Sequence, residues 1–142
     1  MPERAASGDG LLDALASQLA ARLGARVRVG APLGALTTYR VGGDAAVLVD
    51  VAGEDDLLSV REALASSGAA GVVPVLVIGK GSNLLVADSG FPGLCVRPGG
   101  GLAGMAVLES SVAPTEDGAD ALVRGGGALG LPVLARRSVD AG

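Results

Sequence analysis

The feature that most restricts what this chain can fold into is a short apolar run that empties into a glycine-rich bend. Val75 to Ile78 leads into Gly79, Lys80, Gly81, Ser82 and Asn83, and a second apolar run, Leu84 to Ala87, leaves it. The first run is short, β-branched and preceded by Pro74, which predicts a buried strand. Glycines at alternate positions permit positive φ and let a partner come close to the backbone. Amides turned into such a concavity make an anion nest, to which Ser82 and Asn83 add hydrogen-bonding side chains and Lys80 adds charge. Two readings stand: a seat for a diphosphate, or an ordinary glycine-rich turn between two strands.

At 142 residues the chain is one domain or a piece of a larger one. A chain of that size buries roughly two-thirds of its unfolded surface, enough for a core. Tyr39 and Phe91 are its only aromatic residues, so that core must be aliphatic, and 24 glycines and 7 prolines make it turn often. A net charge of −4 argues against a general nucleic-acid binder, which needs basic surface. Cys95 is the only cysteine and there is no histidine, so neither an internal disulfide, a cysteine metal set nor a histidine triad can be built. The start lacks an apolar signal core, and no apolar run reaches membrane length. A reduced, cytoplasmic setting without membrane contact is expected.

Residues 1–10 read as frayed. Leu11, Leu12, Leu15, Leu19 and Leu23 then recur at helical spacing, with Gly24 as a C-terminal cap. Thr37 to Val41 reads as extended, broken by Gly42 and Gly43, whose adjacency predicts close approach of a second strand or a ligand. Val47 to Val51 reads as a buried strand. Glu54, Asp55 and Asp56 open a helix that ends at Gly68, and the acid cluster marks a helix start rather than paired catalytic carboxylates. Strand 47–51, this helix and strand 73–78 form a βαβ unit with parallel strands. Leu84 to Ala87 reads as extended, Asp88 to Gly93 as turns, and Leu94 to Arg97 as a strand in which Cys95 is a small core residue. Met105 to Ser111 and Ala121 to Arg124 read as a hairpin across Pro114–Gly118, and Leu131 to Ala141 as a helix opened by Pro132.

Three nucleotide signatures can be tested on these glycines. A G-x-x-x-x-G-K-[ST] phosphate loop fails at Lys80, because Pro74 takes its first glycine position and Gly81 its hydroxyl position. G-x-G-x-x-G occurs at Gly99, Gly101 and Gly104, followed by a strand-like run where a helix is required. It occurs again at Gly125, Gly127 and Gly130, between an extended run and a helix, but no acidic residue about 20 positions on accompanies it.

Taken together, the segment Leu36 to Ala45, an acidic helix start, the segment Val75 to Val86 and the segment Gly90 to Leu94 occur in a distinctive order and spacing. The chain resembles, over Pro32 to Gly142, the amino-terminal half of the UDP-N-acetylmuramate dehydrogenase family, also called UDP-N-acetylenolpyruvoylglucosamine reductase. The resemblance implies an α+β fold of the vanillyl-alcohol-oxidase (PCMH) type that binds FAD. Residues 1–30 would be a lead-in helix, 31–98 a complete first subdomain, and 99–142 the start of a second, truncated one, with the substrate domain absent. It implies that Gly79, Lys80, Gly81, Ser82, Asn83 and Leu84 hold FAD, with Tyr39 and Gly43 nearby. The family uses NADPH, by way of the flavin, to reduce UDP-N-acetylglucosamine enolpyruvate for peptidoglycan synthesis.

The family's catalytic arginine, proton-donating serine and glutamate would fall beyond Gly142, and Arg136 and Arg137 do not match the arginine. No catalytic residue is therefore expected here, and no turnover from this polypeptide alone. Two other readings come from the residues themselves: a nucleotide-binding module without redox chemistry, and a small dinucleotide-binding domain built on Gly125–Gly130.

Overall fold

The computed structural model describes residues 3–108 and 122–141. Helix α1 (Glu3–Leu23) passes through a 3-10 turn into strand β1 (Val27–Pro32), and a second 3-10 turn precedes β2 (Asp44–Val51). Helix α2 (Glu54–Ser66), the short β3 (Val75–Val77) and β4 (Phe91–Pro98) follow. A hairpin of β5 (Met105–Leu108) and β6 (Leu122–Gly125) then leads to α3 (Leu131–Asp140). The first four strands make one sheet in the order β1-β2-β4-β3, with β1 antiparallel to β2 and the other neighbours parallel. The architecture is thus α+β with a mixed sheet.

Both faces of the sheet are covered. On one, Leu15, Leu19 and Leu23 of α1 and Val60 and Ala63 of α2 pack on Val47, Val49, Val51, Leu94 and Val96. On the other, Leu48 and Cys95 meet Leu33, Ile78 and Val86, which come from loops rather than helices. Alternation along β2 and β4 sorts their side chains between the two clusters, as a period of two requires. The register shifts between Ala45 and Val47, and these two residues accordingly fall in opposite clusters.

Several expectations are corrected. Helix α1 begins at Glu3, so residues 3–10 are helical rather than frayed. Ala5 and Ala6 favour helix, and Gly8 and Gly10 are accommodated within it. Strand β1 is not predicted, although Val27, Arg28 and Val29 alternate in character. The two strands of the predicted βαβ unit are parallel, but β4 lies between them. Strand β3 is an edge strand rather than a buried one, leaving Val75 and Val77 47% and 66% exposed, and only Ile78 beyond it is buried. Residues 84–87 join no sheet. The predicted hairpin forms at β5 and β6, while its Pro114–Gly118 loop lies outside the described residues.

Thr37 to Val41 is not extended. Arg40 takes a left-handed conformation (φ 55°), the one non-glycine residue to do so among the described residues. The Thr37 hydroxyl accepts the Arg40 amide at 3.2 Å and donates to the Gly34 carbonyl at 3.0 Å, closing a turn where a strand was expected.

Candidate functional site at the ends of the parallel strands

Parallel strands deliver their carboxyl ends to one side of a sheet, and ligands of open α/β sheets collect there. Here β2 ends at Val51, β4 at Pro98, and β3 runs through Ile78 into the Gly79–Asn83 bend. The three ends surround a cavity of about 520 Å³, lined by Val51, Ala52, Gly79, Lys80, Gly99 and Gly100 among others. That volume lies within the roughly 300–1,000 Å³ of small-molecule sites. A second hollow of about 230 Å³ is bounded by Gly79 and residues 81–84, so Gly79 borders both.

Among the described residues, no amide of residues 79–83 donates a hydrogen bond to the protein backbone. The strand pairing ends one residue earlier, where the Ile78 amide donates to the Val96 carbonyl at 2.9 Å. Lys80, Ser82 and Asn83 are exposed, whereas Leu84 is half-buried against the loop-side core. The Lys80 side chain reaches towards the start of α3, with Cε 3.9 Å from where a Cβ on Gly130 would stand.

The two glycines of the bend differ. Gly81 is left-handed (φ 66°) and buried, and a Cβ on it would lie 2.1 Å from the Leu36 carbonyl oxygen. Gly79 is not left-handed, and nothing lies within 4 Å of where its Cβ would be. Protein packing therefore explains Gly81, while the space at Gly79 is open to a ligand.

Tyr39 stands 63% exposed beside this bend, because the neighbouring Thr38 amide donates to the Gly81 carbonyl at 3.1 Å. Gly43 donates its amide to Ala87 at 2.9 Å, and a Cβ on it would meet the Asp88 carbonyl oxygen at 2.3 Å. Gly42 (φ 114°) is similarly close to Val86. The Gly42–Gly43 pair thus faces another stretch of chain, but residues 86–88 lie in a loop and not in the second strand expected as its partner.

Charged groups that sequence reasoning does not single out line the larger cavity. Asp50 accepts from Arg97 Nε at 2.5 Å and from Arg28 Nη2 at 3.0 Å, so its negative charge is met by two guanidinium groups. Arg26, which also lines the cavity, pairs with Asp56, whose Oδ2 accepts the Ala52 amide as well, at 2.7 Å. That amide first, and then the guanidinium, hold the Asp56 carboxyl below its ordinary value. The signal for Asp50 and Arg97 is their place at the ends of apolar strands, which becomes legible only once those strands are known to be parallel neighbours. Cys95 is buried, and burial pushes its thiol up to about 11, so it offers no thiolate.

The second G-x-G-x-x-G match has its strand and its helix, β6 and α3. However, β6 pairs antiparallel with β5 instead of opening a βαβ unit. A Cβ on Gly126, which is not a glycine of the motif, would lie 2.1 Å from the Leu102 carbonyl oxygen, while nothing lies within 4 Å of where a Cβ on Gly127 would be. The context of a dinucleotide fingerprint is missing, and the third reading falls.

No protein-family model matches the chain. It is 40% identical over 121 residues to UDP-N-acetylenolpyruvoylglucosamine reductase of Paramagnetospirillum magneticum, covering 85% of this chain and 34% of that protein. The same-named protein of Azorhizobium caulinodans is 39% identical over 132 residues, 93% of this chain and 37% of its own length. That of Methylorubrum populi is 52% identical over 65 residues, 46% of this chain and 19% of that protein. The chain spans about a third of the length of the first two relatives.

Proposed function

We propose, from the premise that this chain is homologous to the UDP-N-acetylenolpyruvoylglucosamine reductases over most of its own length and about a third of theirs, that it supplies the diphosphate-binding part of an FAD site. The observation that carries this reading is the run of unpartnered amides at residues 79–83 beside the strand-end cavity. Backbone N–H groups left without protein partners at the edge of a hollow suit an anion. Gly79, Lys80, Gly81, Ser82, Asn83 and Leu84 would hold the cofactor, with Tyr39 flanking it and Gly43 fixing the flanking segment through the Ala87 contact. Open space at Gly79 lets phosphate oxygens reach the main chain, and Lys80 supplies a positive charge within the same wall.

The finer reading is a vanillyl-alcohol-oxidase-type FAD domain, with its first subdomain over 31–98 and the start of a second over 99–142. The parent reaction would be NADPH-dependent reduction of UDP-N-acetylglucosamine enolpyruvate in peptidoglycan synthesis, in the cytoplasm. The flavin, when bound, supplies the hydride chemistry, while these residues bind and orient it. A polypeptide of these 142 residues is proposed to have no turnover, since the arginine, serine and glutamate implied for the family have no counterpart in it. No helix among the described residues is long and apolar enough to cross a membrane.

The test is titration of the purified protein with FAD, ADP and riboflavin, followed by fluorescence and calorimetry. FAD binding that ADP competes for and riboflavin does not is the expected result. Equal affinity for FAD and ADP would favour a nucleotide-binding module without redox chemistry. Absence of binding by either diphosphate would overturn the assignment.

A further inference from the structure

Thr37 is the one buried polar side chain among the described residues, 5% exposed. It sits at the centre of a closed loop. The Leu33 amide donates to the Gly43 carbonyl at 3.3 Å, joining the loop's ends, and Gly34 packs against Val41 and Gly42 across its waist. Compact loops of this kind, closed at the base and filled by their own groups, are common carriers of function. Within it the Thr37 hydroxyl holds both Gly34, as donor, and the left-handed Arg40, as acceptor. A left-handed arginine costs about 1–2 kcal/mol and persists only where its surroundings hold it. On its outer side the loop presses on the nucleotide bend: Thr37 Cα stands 2.9 Å from where a Cβ on Gly81 would be, and the Thr38 amide takes up the Gly81 carbonyl.

We infer that Thr37 is a positioning residue for the anion-binding bend. By fixing the 33–43 loop, its hydroxyl holds the Gly81 carbonyl on Thr38 and so keeps the 79–83 amides from turning inward to find protein partners. The bend is thereby formed before a ligand arrives, and binding does not have to order it. This rests on the diphosphate reading of the bend and assigns to that site a residue which touches no ligand itself.

The test compares Thr37→Val, which keeps the shape and removes both hydrogen bonds, with Thr37→Ser, which keeps them. Two readouts are taken at a temperature where both variants show native circular dichroism. In the ligand-free protein, amide chemical shifts and hydrogen exchange at residues 79–83 should change in Thr37→Val and remain native in Thr37→Ser, while helix 54–66 is unaffected in both. In FAD titration, Thr37→Val should bind at least about tenfold more weakly, and serine should restore most of the loss. Native amide signals at 79–83 in Thr37→Val would overturn the inference. If the unmodified protein binds no FAD, the proposed function fails, and the ligand-free readout still decides the role of Thr37. If Thr37→Val does not fold, Thr37→Ala and Thr37→Cys are read in the same way, and loss of the helix signals together with those of the bend would also overturn it.

Discussion

The Leu36 carbonyl oxygen lies 2.1 Å from where a side chain on Gly81 would begin, so the Gly79–Asn83 bend and the segment before β2 share one surface. The contact recurs along both stretches. Gly42 meets Val86, Gly43 meets Asp88, and Gly90 (φ 80°) has the Asp44 carbonyl oxygen 2.2 Å from its Cβ position. Both stretches advance together, and each approach is possible only because one partner lacks a side chain. Leu36–Ala45 and Val75–Val86, two of the segments that carry the family resemblance, are therefore two sides of one interlocked layer.

Gly81→Ala should consequently be a folding mutation and Gly79→Ala a binding mutation. Alanine at 81 must be left-handed, at about 1–2 kcal/mol, and must also displace the Leu36 carbonyl. Urea unfolding should show a loss of about 2 kcal/mol or more. Alanine at 79 meets open space and should leave stability within about 0.5 kcal/mol while, on the proposed FAD reading, weakening FAD and ADP. Equal stability losses at the two positions would contradict the difference drawn between them.

Much of this arrangement was legible in the chain itself. Leucines at helical spacing locate α1, the acidic first turn locates α2, and the glycine-rich bend after Ile78 marks the strand end that faces the cavity. Partnerships between distant segments were not legible. Val75 and Val77 read as core because β-branched residues favour strands in either setting, and only the strand order shows that β3 is an edge. Thr37 to Val41 reads as extended because neither the hydroxyl bonds of Thr37 nor the left-handed Arg40 has a signature in a single sequence. Asp50 and Arg97 are ordinary polar residues until β2 and β4 are set side by side, Asp50 opposite Arg97.

The edge position of β3 gives a contrast in stability. Leu94 in the central β4 is fully buried between helices and sheet. Leu94→Ala should cost about 2–5 kcal/mol through lost burial and a cavity. Val77→Ala, on the outer strand, should cost about 0.5 kcal/mol or less. Chemical unfolding of both variants reads the difference, and comparable losses would mean that β3 is covered in solution.

Asp56 makes acid stability depend on the turn at Ala52, which lines the cavity. Its carboxyl is held below the ordinary aspartate value in the folded chain, first by the Ala52 amide and then by Arg26. A folded value below the unfolded one means the contribution is complete above the unfolded value and is lost as pH falls through the folded one. Asp56→Ala should therefore unfold more easily than the unmodified protein near neutral pH, and the gap should narrow below about pH 4. Unfolding midpoints across an acid series measure this. A gap that stays constant through the whole series would show that the charge of Asp56 is not what stabilises the Ala52 turn.

Cys95 reports on whether the sheet opens. It is fully buried on β4 with Leu48, Ile78 and Val86, and burial raises its thiol to about 11. Only the thiolate reacts, so near neutral pH the folded protein should resist a thiol reagent for two reasons, lack of access and lack of ionisation. In denaturant the same thiol should react at the rate of a free cysteine. Because β4 carries pairing to both β2 and β3, opening at Cys95 requires the sheet to part, and the native reaction rate should track global stability. The destabilised Leu94→Ala variant should thus label faster and Val77→Ala at the parental rate. If FAD binds at the strand-end cavity, saturating FAD should slow labelling by the factor 1 + [L]/Kd that binding to the native state alone requires. Labelling that FAD leaves unchanged, in a protein shown to bind it, would mean that Cys95 is reached by a local opening apart from the cofactor site.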